Sequence, residues 1–175
     1  MICPYCGFDN LEGADSCEAC LMDLRALDEP RAETALEDSL MHEPVESLGP
    51  KTALIVPPEA SIRDALECMV ENNIGCVLVG SEAEVVGIFS ERDVLLRVAG
   101  RMEEVEAEPV SRFMTVSPQM FEVGTPLAFA LNRMSLNDFR HLPLTEKGRL
   151  LGIISLRDFL GLLFRSHPDL ALEDS

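Results

Sequence analysis

Between residues 61 and 70 the apolar side chains recur at Ile62, Ala65, Leu66, Met69 and Val70. That is the i, i+3, i+4, i+7, i+8 spacing of one helical face, and Ser61 with Asp64 supplies a capping box ahead of it. Asn72-Asn73 ends the run. The pattern then changes to short β-branched stretches, Cys76–Val79 and Val85–Phe89, on either side of a polar turn at Gly80–Glu84, and Ser90 opens a second helix toward Arg97. Sliding the chain on itself by 65 positions reproduces this order without a gap from Ile62–Leu95 to Leu127–Leu160. Ala65, Leu66, Met69 and Asn72 meet Ala130, Leu131, Met134 and Asn137, while Gly87-Ile88, Ser90 and Arg92-Asp93 meet Gly152-Ile153, Ser155 and Arg157-Asp158. The second unit therefore predicts a helix from Pro126 to about Leu136, strands His141–Thr145 and Leu150–Ile154 around Lys147-Gly148, and a helix from Ser155 to Phe164. An extended piece precedes each unit, Ala53–Val56 and Met120–Val123. Neither half can bury both faces of so small a sheet, so the halves are expected to pack on each other as a pseudo-symmetric pair.

A different chemistry occupies the N-terminus. Four of the six cysteines fall in the first 20 residues as Cys3-Pro-Tyr-Cys6 and Cys17-Glu-Ala-Cys20. Each C-x-x-C turn aims two thiolates at one point, and two turns complete the tetrahedron that Zn²⁺ prefers. Gly7 fits this picture because it lets backbone amides approach the sulfurs. A disulfide framework would need an oxidising compartment, and a redox dithiol needs a preceding strand for which Cys3 leaves no room. Iron suits the same four sulfurs. This segment resembles a zinc ribbon of the rubredoxin-like kind. Cys68 and Cys76 read as core residues, and Met69, Met114, Met120 and Met134 as packing.

The 65-residue repeat closely resembles a tandem pair of cystathionine-β-synthase (CBS) domains, a Bateman module. The phrases that carry the likeness are Pro58–Leu66, Asn73–Val79, Gly87–Asp93, Arg140–Leu144 and Gly152–Asp158, with lead-ins at Leu40–Val45 and Phe113–Thr115. The expected fold is thus α/β or α+β, two β-α-β-β-α repeats beside a small ribbon. The expected divisions are a ribbon at 1–24, an acidic connector at 25–37, part helical, repeats at 38–101 and 102–167, and an acidic tail at 168–175.

Ser90-Glu-Arg-Asp93 and Ser155-Leu-Arg-Asp158 have a plain reading as helix caps contributing about 1 kcal/mol each. In both copies, however, a Gly-Ile strand runs directly into the serine, placing hydroxyl and carboxylate at a helix N-terminus, where amides attract phosphate and a carboxylate can accept ribose hydroxyls. The resemblance implies that use. It puts Asp93 and Asp158 on ribose, Ser90 and Ser155 on ribose or phosphate, and Arg92 and Arg157 beside them. It also puts Arg140-His141 on phosphate, the base near Val77 or near Pro143 and Leu144, and the hydroxyl of Thr115 or Thr52 in the partner repeat's cleft. His141 reads equally well as a core-edge histidine and Arg140 as a solvated charge. Gly75-Cys76 stands in the first repeat where Arg140-His141 stands in the second, so the second cleft is the one expected to be loaded.

Charge changes the choice of partner. The chain carries 31 acids against 14 bases, a net charge of −17, and 12 acids with only two bases lie in residues 1–50. Affinity for nucleic acid is built from Lys and Arg, so nucleic-acid binding is disfavoured and the ribbon, without a basic residue before Arg25, reads as a protein-docking module. Local groups still govern a nucleotide cleft, because charges beyond about 8 Å are screened. With 47% hydrophobic residues in 175 the chain has a real core. No apolar run spans a bilayer, and no leader pattern is present, so a cytoplasmic location is expected. No catalytic constellation is apparent. The expectation is a non-enzymatic regulator sensing AMP, ADP or ATP, with S-adenosylmethionine or NAD less favoured, that signals to a protein partner through the ribbon. The resemblance adds a homodimer. The alternatives are a ligand-free docking or architectural dimer and an iron-containing electron-transfer ribbon.

Overall fold

The structure, a computed structural model, describes residues 1–11, 13–24 and 34–166. Most of the expected acidic connector and the expected acidic tail lie outside the described residues. The chain divides into two compact units, one made of Met1–Pro50, Phe121–Leu142 and the chain from Ile154, the other of Lys51–Met120 and Pro143–Ile153.

In the first unit the ribbon is followed by α1 (Ala35–His42), entered through a Thr34/Glu37 capping box. The ribbon has a 14-residue internal echo: Cys3 and Cys17 donate their amides to Phe8 and Met22 at 2.8 Å each, and Gly7 and Leu21 donate back to Cys3 and Cys17 at 2.9 and 2.8 Å. Both closing residues sit at positive φ, 72° for Gly7 and 62° for Leu21. Glycine takes that conformation freely, whereas the leucine is held there at a cost of about 1–2 kcal/mol. The unit also holds β5 (Phe121–Glu122), α5 (Leu127–Asn137) and α6 (Leu156–Ser166). Helix α1 packs against α5 and α6.

The second unit carries the sheet β1-β2-β3-β4, formed by Ile55–Val56, Cys76–Gly80, Val85–Ser90 and Thr115–Val116. Strand β1 runs parallel to β2, and the other pairs are antiparallel. Helix α2 (Ile62–Glu71) lays Ile62, Ala65 and Met69 on Val77, Val79 and Phe89 to make the core. Val70 departs from the sequence expectation: it is 78% exposed. It lies about 80° round the helix from Ile62, beyond a buried stripe that needs only three positions. The strand pair β6 (His141–Glu146) and β7 (Arg149–Ser155) joins β5 in the order β5-β6-β7. Its Leu150 and Ile153 pack on Cys76, Leu78 and Ile88.

The repeat seen in sequence is repeated bond for bond. Val45 N–H donates to Thr125 at 2.8 Å and Leu127 N–H to Glu43 at 3.0 Å; 65 positions away, Val110 N–H donates to Ala60 at 2.8 Å and Ile62 N–H to Glu108 at 3.0 Å. Each lead-in thus bonds the helix start of the other repeat. The hairpin turns differ. Lys147 and Gly148 both take positive φ, 51° and 76°, the pattern that matches strand twist. In repeat 1, Ser81 and Glu84 exchange both backbone bonds across Glu82-Ala83, neither at positive φ, and the mismatch is absorbed by a register shift at Val79/Gly80. A Cβ on Gly80, whose φ is 136°, would lie 2.2 Å from the Glu84 carbonyl oxygen, so only glycine fits.

Ser90 was expected to open one continuous helix. Instead α3 (Glu91–Asp93) widens at once into a π-helical turn over Val94–Val98, followed by a 3-10 turn at Ala99–Arg101 and α4 (Met102–Val105). In repeat 2 the corresponding α6 is a regular α-helix.

Candidate functional site

The sulfurs of Cys3, Cys6, Cys17 and Cys20 lie within 4.8 Å of one another. Cys3 Sγ is 3.7 Å from Cys20 Sγ, and Cys6 Sγ 3.6 Å from Cys17 Sγ. A tetrahedron with metal–sulfur bonds of about 2.3 Å has edges near 3.8 Å, so the four thiols fit a metal and are too far apart for disulfides. Cys3, Cys17 and Cys20 are buried with Leu24, and partly buried side chains, among them Met1, Tyr5, Met22 and Phe129, pack against them. Burial pushes the thiols of Cys6 and Cys20 up. Burial also opposes ionisation of Cys17, but the amides of Cys20 and Ala19, the Asn10 side chain and Cys6 outweigh it and bring that thiol to about 6. Asn10, which motif reading passed over, is 6% exposed; it donates to the Phe8 carbonyl and accepts from Glu18 N–H, each at 3.0 Å, tying the two knuckles together. All four ligand positions are cysteine, so a bound metal would be closed to substrate.

The second chemistry lies at the strand-to-helix junctions. Glu91 N–H donates to Gly75 at 3.0 Å and Leu156 N–H to Arg140 at 2.9 Å, equivalent bonds that bring each Ser-x-x-Asp beside the start of its hairpin. Ser90 donates its amide (3.0 Å) and hydroxyl (2.7 Å) to Asp93 Oδ2; Ser155 does the same to Asp158 Oδ2, both at 2.7 Å. The carboxylate-to-serine half of a capping box is therefore present in both copies and the whole box in repeat 1, and a ligand role would be added to it.

The two copies are otherwise unequal. Asp93 is 5% exposed, and its Oδ1 accepts the Thr115 hydroxyl at 3.0 Å with Arg97 Nη1 at 3.5 Å. Arg97 also donates to the carbonyls of Phe113 and Met114 at 2.8 and 2.7 Å. Thr115, from the lead-in of the second repeat, thus reaches a carboxylate of the first. Arg97 was missed by motif reading; its Asp-to-Arg i, i+4 spacing was the available signal. At the positions 65 residues from Arg97 and Thr115 stand Leu162 and Pro50, neither able to donate from its side chain. Asp158 is half-buried, as are Ser155 and His141, whereas Arg140, Arg157, Arg92 and Thr52 are exposed. Val77, expected near the base, is 1% exposed among Val56, Ile62 and Phe89, and Pro143 and Leu144 are buried as well.

Cys76 lies beside this junction, paired in register with Ser90 and 5% exposed. Burial pushes its thiol up to about 12, with Glu91 and Asp93 adding to the effect. At pH 8 the native thiol stays protonated, so iodoacetamide should leave Cys76 unlabelled until the chain is denatured; rapid labelling of the native protein would contradict its placement.

Two mixed α/β repeats with exchanged lead-ins define a paired-repeat fold. The CBS-domain family model matches residues 38–100 and 110–165, and the chain belongs to that family. An uncharacterised 17.7 kDa protein from Acidianus ambivalens is 36% identical over 65% of this chain and 68% of its own length. An uncharacterised protein from Methanocaldococcus jannaschii is 29% identical, with 44% of its length matched. The crystal structure of a CBS-domain protein from Agrobacterium tumefaciens aligns with TM-score 0.63 at 32% identity, covering 69% of this chain and 98% of that one. CBSX2, solved in complex with AMP, aligns at 0.58 and 26% identity, covering 70% and 96%. Among the described residues no helix is long and apolar enough to cross a membrane.

Proposed function

We propose that this chain is a regulatory, non-catalytic CBS-pair protein that binds an adenosine nucleotide in its second repeat and passes the bound state to a protein partner through a metal-stabilised ribbon. The carrying observation is the hairpin-to-helix junction at Arg140–Leu156, where Ser155, Asp158 and Arg157 gather beside Arg140 and His141 at the start of an 11-residue helix. An anion there meets the positive end of the helix dipole, and an Arg–phosphate bond adds about 1.5–3 kcal/mol. The AMP bound to CBSX2 favours an adenosine ligand over other phosphates. Ser90, Arg92 and Asp93 form the corresponding edge of repeat 1, where Thr115 and Arg97 already engage the carboxylate, so the first cleft is the weaker one. The proposed divisions are the ribbon at 1–24, the connector at 25–37, repeats at 38–101 and 102–167 and the tail at 168–175. Zinc is the favoured metal.

Calorimetry of the metal-loaded chain with AMP, ADP and ATP tests this. Asp158→Ala should weaken binding by about 10- to 100-fold, the loss of one or two charge-assisted hydrogen bonds. Equal affinity in Asp158→Ala and the parent chain would return Ser155 and Asp158 to capping alone.

A further inference from the structure

The ribbon does not sit free of the CBS repeats. Asn132 Nδ2 on α5 donates to the Cys20 carbonyl at 2.9 Å, Arg133 Nη1 reaches the Ala19 carbonyl at 3.4 Å, and Phe129 packs against the cysteine core. Both carbonyls belong to the second knuckle. Phe129 in turn stacks on Phe121 of β5, centroids 5.9 Å apart and planes tilted by 55°. A continuous path of packed groups therefore runs from the sulfurs through Phe129 to the sheet whose middle strand begins at His141.

The repeat itself marks these residues as an adaptation. Between α2 and α5 the inward positions are kept: Ala65/Ala130, Leu66/Leu131 and Met69/Met134. The three α5 residues that meet the ribbon are all changed, Phe129 standing opposite Asp64, Asn132 opposite Glu67 and Arg133 opposite Cys68. Retained α2 residues would set two carboxylates against a knuckle that offers carbonyl oxygens and carries Glu18. The repeat 2 helix has an apolar ring, an amide donor and a cation at those places instead: Phe129 bridges Phe121 and the cysteine core, and the donors at Asn132 and Arg133 match the knuckle's carbonyls.

We propose that α5 is the seat of the metal-closed ribbon, so that loading the four sulfurs and ordering the α5 face are one linked equilibrium. The inference rests on the reading that the cysteines hold a metal. The carbonyls of Ala19 and Cys20 are held at the required spacing only while the Cys17–Cys20 turn is closed, and closing that turn is what a metal does. By linkage, whatever stabilises the docked α5 tightens the metal and the metal stabilises docked α5 by the same factor.

The test uses the full chain and Zn²⁺. Affinity is measured by chelator competition for the parent, for Asn132→Ala, and for Phe129→Asp with Asn132→Glu, which restores the repeat 1 surface. Hydrogen exchange is followed in α5 and α2 with and without chelator. Coupling energies of this kind span about 5- to 150-fold; the double variant should bind Zn²⁺ at least about tenfold more weakly, and Asn132→Ala should lie between it and the parent. Metal removal should speed exchange in 127–137 and leave 62–71 unchanged. A parent chain that binds no Zn²⁺ would overturn the metal reading and the seat with it. Stoichiometric binding with unchanged affinity in both variants, or α5 exchange indifferent to chelator, would overturn the seat alone.

Discussion

Cys20→Ser, or exhaustive chelation, unfolds residues 1–24. Among the described residues of the ribbon the fully buried ones are Cys3, Cys17, Cys20 and Leu24 with Asn10, so three of the four metal ligands sit at the centre of its small interior. A segment this short cannot bury enough surface to offset its ordering entropy without a staple. Structural zinc in comparable small modules contributes about 10–16 kcal/mol of apparent binding energy, nearly all of it available for folding. Loss of one sulfur also strands the remaining thiols in a site whose spacing, 3.6 and 3.7 Å, matches metal rather than disulfide. The expected result is one metal per parent chain and none in the variant, with protease cutting inside 1–24 only in the variant. Equal protection of loaded and stripped chains would show that side-chain packing suffices and the metal is dispensable.

The second large effect belongs to Asp93. Asp93→Ala removes the acceptor for the Ser90 amide and hydroxyl and the Thr115 hydroxyl at once, and takes away the carboxylate beside Arg97. Breaking a buried charged network by deleting one partner costs about 3–5 kcal/mol, which for a chain of this size lowers the melting temperature by about 10 °C. Asp158 is half-buried, and Asp158→Ala should be milder in stability while being stronger in nucleotide affinity. The two variants thus separate along different axes, read by thermal unfolding and calorimetry on the same samples. A melting temperature unchanged by Asp93→Ala would mean that Thr115 and Arg97 find new partners and that the network is incidental.

The helices, hairpins and four-cysteine cluster were legible because each is written locally: a 3.6-residue period, alternation into a turn, a C-x-x-C spacing. The backbone bonds of the two lead-ins recur in the same 65-residue register. What local pattern could not carry was the consequence of burying only three positions on α2, which leaves Val70 outside, and the π-helical widening after Asp93 in repeat 1 but not after Asp158. For Arg97 the i, i+4 spacing from Asp93 was the one local signal, and it says nothing of the partners at Phe113 and Met114, 16 and 17 residues away. The seat on α5 was hidden for a related reason: Asn132 meets Cys20 across 112 residues of chain, and only the mismatch between repeats betrays it.

The unequal hairpin turns give the two repeats different tolerance to grafting. At Lys147-Gly148 the left-handed pair itself sets the strand register, so a foreign loop inserted there would shift Arg140 against Leu156 and disassemble the junction. In repeat 1 the register is pinned at Gly80, upstream of the turn. Reporter peptides or affinity tags can therefore be carried at Glu82-Ala83 with the fold intact, provided that Gly80 is left alone.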